Sequence, residues 1–272
     1  MKVKEIPVSL FHHIKLSNTS KKKFIEGKNQ IPVIVSLASI PSRLGIVDLT
    51  IRSLLNQDVL PDQIVLWLHE DLEDKIPKKL SNLASSIFSI KFSKYTSSHR
   101  KLVETLNIYP NTIIVTCDDD MMYRKNWLSK LYEVHQKNPS EIIGNQTRCI
   151  SYNSDGELLP YKKWSSGNGP CTNEDNTLPI GAGGTLYPIN SLDNQVHDQP
   201  LFMKLAPKAD DLWFKAMALL KGTKSIQAKN SEKEPIPIWG SQKVSLKKTN
   251  ITEDKNRIQW QALDDHFNFK LT

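Results

Sequence analysis

The stretch Thr112-Ile113-Ile114-Val115-Thr116, followed at once by Cys117-Asp118-Asp119-Asp120, decides the fold class of this chain. Its apolar, β-branched part predicts a strand that is buried on both faces, as strands of parallel sheets are. The three aspartates then lie at the carboxyl end of the strand, the edge where α/β sheets bind ligands. Carboxylates this close repel one another, and a divalent cation would offset their charge. The stretch therefore indicates a metal site, with a solvated acidic turn as the alternative.

Three more strands precede this one, and helical patterns separate them. The predicted strands are Val33–Leu37, Ile64–Leu68 and Ile87–Phe92. Strands that alternate with helices about every 25 to 30 residues predict right-handed crossovers and a parallel sheet. Later helices are predicted over 125–137, 210–221 and 258–269. The fold class is thus α/β, a mostly parallel sheet flanked by helices, and the length fits one domain over residues 1–272.

Composition limits the partners and the compartment. The formal net charge of +7 favours anionic partners such as nucleotides or lipid phosphates, and no recognition signature indicates nucleic acid. Cys117, Cys149 and Cys171 are odd in number and widely spaced, which predicts free thiols. No apolar run approaches the length of about 18 residues that a membrane span needs. A cytoplasmic location is therefore expected.

The first 30 residues are rich in lysine and weakly patterned. The run Lys21-Lys22-Lys23 predicts a solvated arm, which could also contact the negatively charged inner face of the cell membrane.

Glycines and aromatic residues concentrate between residues 145 and 200. Glycine lets backbone approach a substrate, and aromatic rings stack on sugar faces. The alternative is ordinary hairpin turns with core aromatics. The candidate substrate-binding residues are Trp164, Gly181, Gly183 and Gly184, with Gly167-Asn168-Gly169-Pro170 as a further glycine-rich segment.

The order of the polar motifs resembles a known family. Ser39-Ile40-Pro41-Ser42-Arg43 follows the first strand, His99-Arg100-Lys101-Leu102 precedes the fourth strand, and Asp118-Asp119-Asp120 ends it; Asp210-Asp211 begins a later helix. This order is similar to that of the GT-A fold glycosyltransferases, especially the family-2-like bacterial enzymes of surface polysaccharide synthesis. The resemblance covers residues 32 to 221.

The resemblance implies a GT-A, Rossmann-like fold with three parts. A nucleotide-sugar-binding half would span residues 32–144, an acceptor-binding and catalytic half residues 145–222, and a C-terminal extension residues 223–272. The implied activity is a metal-dependent, inverting transfer from a nucleotide-diphosphate sugar to a glycan or lipid-linked acceptor. The donor would be a UDP-sugar that carries galactofuranose, galactose or glucose.

The resemblance also implies roles for individual residues. Mn²⁺ or Mg²⁺ would be bound by Asp118, Asp120 and His266. The nucleotide would be bound by Arg43, Arg100, Lys101, Asp118 and Asp119.

The acidic pair is the implied catalytic centre. A sugar hydroxyl needs a carboxylate to accept its proton, and Asp211 would be that base while Asp210 contacts donor or acceptor sugar. Either residue could instead be a simple helix N-terminal acid. The chain departs from the family in having Asp-Asp where Glu-Asp is usual.

Three other interpretations stay open. Phosphatases with an acidic strand end need a nucleophilic Asp that normally comes early in the chain, whereas this triplet begins at Asp118. Sugar-phosphate nucleotidyltransferases use a related sheet but carry a glycine-rich loop after the first strand, whereas here the segment that begins Ala38-Ser39-Ile40-Pro41-Ser42 has no glycine before Gly45. A catalytically inactive nucleotide- or carbohydrate-binding module would bind nucleotide without turnover.

Overall fold

The strands form one large sheet and two small ones. The computed structural model describes residues 5–165, 171–228, 234–241, 253–269 and 271. Its strands are β1 (Gln30–Ala38), β2 (Leu60–His69), β3 (Phe88–Ser93), β4 (Ile113–Thr116), β5 (Met121–Met122), β6 (Ile142–Gly144), β7 (Thr147–Cys149), β8 (Thr177–Pro179), β9 (Thr185–Tyr187), β10 (Ser225–Gln227) and β11 (Ile236–Pro237). Thus Gly167–Pro170 lie outside the described residues, as do residues 229–233, 242–252, 270 and 272 of the predicted extension over 223–272.

Seven strands pair in the order β10-β6-β9-β4-β1-β2-β3. All neighbours run parallel except β9, which is antiparallel to both β4 and β6. The predicted α/β class with a mostly parallel sheet is therefore confirmed. The chain moves outward from β1 through β2 to β3 and then returns to the other side of β1 as β4. The carboxyl ends of β1 and β4 thus form the switch point at which such sheets bind ligands.

Helices cover both faces of the sheet. They are α1 (Ile6–Ser17), α2 (Lys21–Ile25), α3 (Val47–Leu55), α4 (Lys78–Ser81), α5 (Arg100–Ile108), α6 (Trp127–Lys137), α7 (Gln199–Leu205), α8 (Asp210–Lys221) and α9 (Lys255–Phe267). Side chains of β4 alternate between two large apolar clusters, with Val115 in one and Ile114 in the other. The second cluster also contains α8, which ends as predicted at Gly222, whose φ is 75°.

The prediction of a solvated N-terminal arm is wrong. Residues 6–25 form α1 and α2, because Leu16 and Phe24 are buried and anchor the two helices to the core. Ser20 caps α2 by accepting a hydrogen bond from the Lys23 amide. The three lysines of α2 are exposed on this helix.

The prediction of free thiols is wrong for two of the three cysteines. Cys149 and Cys171 form a disulfide, and only Cys117 is free and buried. The 22 residues that separate the pair fold back so that the two Cα atoms lie 5.6 Å apart, which cysteine spacing alone does not reveal. Within the described part of the chain, no helix has both the length and the apolarity to cross a membrane.

Candidate functional site

The predicted acidic and basic residues meet at the switch point. Ser36 of β1 is in register with Thr116 of β4, so the segments that follow the two strands leave the sheet side by side. These segments contain Ser39 and Asp118–Asp120, respectively. Parallel pairing of β1 and β4 therefore places the acidic triplet next to the loop that contains Arg43.

The first cluster joins this loop to the triplet. Arg43 Nη1 lies 2.5 Å from Asp119 Oδ1, and Arg43 Nη2 lies 3.0 Å from Asp120 Oδ2. The Ser39 hydroxyl donates a hydrogen bond to Asp119, and the Thr50 hydroxyl donates one to the Asp119 carbonyl. Asp119 and Asp120 are buried, which rules out the solvated acidic turn. Arg43 binds protein carboxylates here, where the resemblance implied a nucleotide contact.

The second cluster is centred on Lys101, at the start of α5. Its Nζ lies 3.0 Å from Asp118 Oδ1 and 2.9 Å from Asp210 Oδ2. Ser98 donates a hydrogen bond of 2.8 Å to the other Asp210 oxygen. Lys101 thus links the end of β4 to the start of α8, while the Asp118 side chain keeps 36% of its surface exposed.

Asp211 lies against the turn at Gly181. The Gly181 amide donates a hydrogen bond of 3.1 Å to Asp211 Oδ2. A Cβ atom on Gly181 would lie 2.9 Å from Asp211 Oδ1, 3.1 Å from Lys101 Nζ and 3.7 Å from Asp118 Oδ1. A side chain at this position would therefore displace the charged ends of Asp211 and Lys101.

The carboxylates divide into two electrostatic classes. Burial raises the pKa of Asp120 to about 7, with Asp118 adding to the shift and Arg43 opposing it. Burial also raises the pKa of Asp211 to about 7, with Asp210 adding to it. Burial acts in the same direction on Asp210, but Lys101 outweighs it and lowers the pKa of that group. Burial therefore disfavours the charged forms of Asp120 and Asp211, although Arg43 pairs with Asp120 and the Gly181 amide donates to Asp211.

Lys101 stays protonated despite complete burial. Burial opposes its charge, but Asp118, Asp210 and Asp211 together raise its pKa well above the ordinary value for lysine. The cluster thus holds a permanent cation among carboxylates.

Tyr123 fixes the geometry of the site, and nothing in the sequence pattern pointed to it. Its hydroxyl accepts a hydrogen bond of 2.9 Å from the Asp118 amide and lies 3.2 Å from the Ala182 carbonyl, to which it donates. Ser39 and Ser98 were also missed as site residues. Ser39 follows β1 in the quoted motif, but its partner Asp119 is 80 residues away, so no local signal pairs them.

Several predicted site residues have structural roles instead. Arg100 is buried and donates hydrogen bonds to the Tyr95 and Ser39 carbonyls. Trp164 is 1% exposed and donates to the Leu159 carbonyl, so its ring faces the core.

The glycines after Gly181 also serve packing. Gly184 has a φ of 96°, and a Cβ there would lie 2.4 Å from the Trp127 ring. The Gly183 carbonyl accepts hydrogen bonds from Trp127 and Asn145.

His266 lies apart from the acidic triplet. It is exposed near the end of α9, and its ring contacts Phe267. Among the described residues, no group of three or more His, Cys, Asp or Glu side chains is close enough to hold a metal by itself. The implied ligand set Asp118, Asp120 and His266 is therefore not brought together.

Comparison with known proteins gives only distant likenesses. No protein-family model matches the chain, and no curated protein matches it. The 4-diphosphocytidyl-2C-methyl-D-erythritol synthase of Anaerococcus prevotii aligns with a TM-score of 0.47 and 13% identity, covering 87% of this chain and 99% of that one. A CMP:2-keto-3-deoxy-manno-octonic acid synthetase, solved with CTP, aligns with a TM-score of 0.40 and 11% identity, covering 77% and 94%.

The identification with the GT-A glycosyltransferases is corrected by these findings. The solved structures are a synthase and a synthetase of cytidine nucleotides, and no family model or curated sequence connects the chain to glycosyltransferases. The sugar transfer from a UDP-sugar, the surface-polysaccharide role and the DxD interpretation are corrected with it. The order of motifs misled because α/β sheets of different chemistry place acidic residues at the same edge.

Proposed function

We propose that this protein is a divalent-cation-dependent nucleotidyltransferase that joins a nucleotidyl group to a phosphate-bearing substrate such as a sugar phosphate. The observation that supports it is the switch-point cluster, in which Asp118–Asp120, Asp210 and Asp211 surround the ion-paired cations Arg43 and Lys101. Carboxylates in excess over cations would repel a polyphosphate unless a divalent cation lies between them.

The donor set fits such a cation. Mg²⁺ is commonly held by one or two carboxylates together with substrate phosphates, so the missing third protein ligand is no obstacle. Asp118 and Asp120 would hold it, since both are carboxylates of the same turn and Asp118 is exposed. Asp211 faces Asp118 across Gly181 and would complete the negative environment. A bound cation would offset the charge of a triphosphate and of departing pyrophosphate.

The chain's own residues would orient the two substrates. An acceptor phosphate is already ionised near neutral pH, so its oxygen can attack the α-phosphorus without a strong base, and pyrophosphate leaves. Lys101, held between Asp118 and Asp210, would donate to a phosphate oxygen. Arg43 would keep Asp119 and Asp120 in place rather than contact the nucleotide.

The loop after β1 differs from that of the nucleotidyltransferases named above. It has no glycine before Gly45, and Pro41–Arg43 forms a turn of 3₁₀-helix that is tied to Asp119. The amides of Arg43 and Leu44 already donate to carbonyls within this turn, so the proposal assigns phosphate binding to the cation and Lys101.

The direct test is pyrophosphate release. The purified protein is incubated with Mg²⁺ or Mn²⁺, each of the four nucleoside triphosphates and a mixture of sugar phosphates, and products are identified by mass spectrometry. The proposal expects pyrophosphate and a nucleotide-linked product in equal amounts, dependent on both substrates and abolished by EDTA.

Matched variants make this test specific. Asp118→Asn and Asp120→Asn should lower the rate by about 10² or more, the scale of losing one charge-stabilising group. Glu174→Gln removes an exposed carboxylate paired with Lys224 outside the cluster and should have no effect. Absence of pyrophosphate release with every triphosphate, or a rate unchanged by EDTA, would contradict the proposal.

A further inference from the structure

The outward face of α1 is apolar, which is unusual for a surface helix. The side chains opposite the buried Ser9 and Leu16 are Leu10, Phe11 and Ile14, with Pro7 and Val8 beside them. Phe11 is 62% exposed and Ile14 is 61% exposed. A helix on a monomer surface normally turns polar residues toward water.

Exposed apolar residues concentrate at this place. Of the nine large hydrophobic side chains that are exposed among the described residues, Val8, Leu10, Phe11 and Ile14 lie on α1 and Trp239 lies next to it. Trp239 is held there because its amide donates to the Ser9 hydroxyl at 3.0 Å, while that hydroxyl donates to the Pro237 carbonyl at 2.8 Å. We call Val8, Leu10, Phe11, Ile14 and Trp239 the α1 patch. Exposed apolar side chains concentrated on one helix face indicate an interaction surface.

An excess of lysine in the N-terminal sequence favours a negatively charged partner for the α1 patch. The first 28 residues contain seven lysines and two glutamates, a net formal charge of +5 out of the +7 of the whole chain. Lys15 is exposed on α1, and the lysines of α2 follow directly. An apolar helix face flanked by clustered lysines and an exposed tryptophan suits a surface that is apolar inside and negative at its rim.

We propose that the α1 patch docks the protein on the surface of an anionic lipid bilayer. Phe11, Ile14 and Leu10 enter the boundary between headgroups and acyl chains, Trp239 lies at the headgroup level, and the lysines contact lipid phosphates. The docking surface is linked to the acidic triplet, since Ile238 precedes Trp239 and its amide donates to the Asp120 carbonyl at 3.0 Å. This inference does not depend on the proposed nucleotidyl transfer.

Trp239 provides an internal reporter. The other five tryptophans are at most 3% exposed, whereas Trp239 is 57% exposed. Full-length protein is mixed with vesicles of phosphatidylcholine and phosphatidylglycerol, and with vesicles of phosphatidylcholine alone. The proposal expects a blue shift of tryptophan emission and quenching by brominated acyl chains with the anionic vesicles only, both lost in Trp239→Phe.

Co-sedimentation with the same vesicles tests whether binding depends on the α1 patch or on exposed apolar side chains in general. The double variant Phe11→Ser and Ile14→Ser should bind at least about tenfold more weakly, because the apolar area buried in lipid is lost. Ile189→Ser and Ile258→Ser change side chains of similar exposure elsewhere and should bind like the wild type. Circular dichroism confirms that each variant is folded.

Two results would overturn the proposal. One is no emission change and no co-sedimentation of the wild-type protein with anionic vesicles in low salt. The other is self-association in sedimentation velocity that the double variant abolishes, which would make a second copy of this chain the occupant of the α1 patch.

Discussion

The acidic residues at the end of β4 and those at the start of α8 share one internal arrangement. At the end of β4, Asp119 is bound by Arg43 and Ser39, while its neighbour Asp120 has a pKa raised to about 7. At the start of α8, Asp210 is bound by a lysine and a serine, while its neighbour has a pKa raised to about 7. In each region a cation and a serine bind the first carboxylate, and burial outweighs the groups that favour the charge of the second.

The two regions differ in what their cation connects. Arg43 pairs with Asp119 and Asp120, which are adjacent in one turn, and its side chain is 16% exposed. Lys101 is 5% exposed and pairs with Asp118 and Asp210, which come from distant parts of the chain. Arg43 therefore organises one loop, whereas Lys101 joins the two regions into one site.

Replacing Arg43 or Lys101 should distinguish their two roles. The loss of Lys101 should have the largest effect on the free energy of unfolding. Lys101→Met leaves two carboxylates unpaired and should lower the free energy of unfolding by about 3–5 kcal/mol, the scale of breaking a buried ion pair. Arg43→Met should cost about 1–3 kcal/mol, because its group is more exposed. Urea denaturation of both variants measures the difference.

A double variant checks the cause. Adding Asp210→Asn to Lys101→Met should restore part of the lost stability, since it removes one of the unpaired charges. Equal losses in the two single variants, or no recovery in the double variant, would break the distinction between Arg43 and Lys101.

The buried His99, whose ring contacts Phe214 of α8, should make the stability of the protein sensitive to acid. His99 stacks on Phe202, and burial lowers its pKa from 6.5 to about 4, against the attraction of Asp210. The unfolded chain binds this proton near pH 6.5 and the native chain only near pH 4. The stability associated with neutral His99 is thus fully present above pH 6.5. The free energy of unfolding should fall by about 2–3 kcal/mol as the pH drops toward 4.

Replacing the ring tests this assignment. His99→Phe keeps the stacking on Phe202 and should flatten the dependence of unfolding free energy on pH between 6.5 and 4. His266→Gln changes an exposed ring and is the matched control. An unchanged slope in His99→Phe would assign the acid sensitivity to other groups.

Neutralising Asp210 and neutralising Asp211 should change the free energy of unfolding with opposite signs. These should be the smallest of the expected effects. Asp210 has a lowered pKa, so its stabilisation is present above pH 3.8, and Asp210→Asn should cost about 1–2 kcal/mol there. Asp211 has a raised pKa, so its carboxylate destabilises the fold increasingly as the pH rises from 3.8 to 7. Asp211→Asn should therefore gain about 1–2 kcal/mol above pH 7 and little near pH 4.

Thermal unfolding in EDTA measures both variants without bound cations. No contrast in sign is expected at the end of β4, because burial raises the pKa of both Asp119 and Asp120. A loss of stability in both Asp210→Asn and Asp211→Asn would contradict the opposite signs expected for these two carboxylates.

The first four strands and the helix α8 could be predicted because their signals are local. The β-branched runs around Val33 and Ile114 are buried in β1 and β4, and Gly222 ends α8 in the left-handed conformation. The positions of the acidic residues at strand and helix ends followed from these elements alone.

The pairing within the site depends on contacts between distant residues and could not be predicted. Ser39 and Asp119 are 80 residues apart, and Cys149 and Cys171 meet only because the intervening loop folds back. The prediction for residues 1–30 failed because it was based on the frequent lysines, whereas the burial of Leu16 and Phe24 holds the two helices against the core. The chemistry was misassigned because motif order reports the architecture of the sheet, not the reaction.

The most direct measurement is calorimetric titration of each nucleoside triphosphate into the protein, with Mg²⁺ and with EDTA. At least one triphosphate should bind with Mg²⁺ and about tenfold or more weakly without it, because the carboxylates of the cluster outnumber its cations and then repel the phosphates. Asp120→Asn should erase most of that difference, whereas Glu174→Gln should keep it. Equal affinity with Mg²⁺ and EDTA, or no binding of any triphosphate, would contradict the claim that this cluster holds a cation and a nucleotide together.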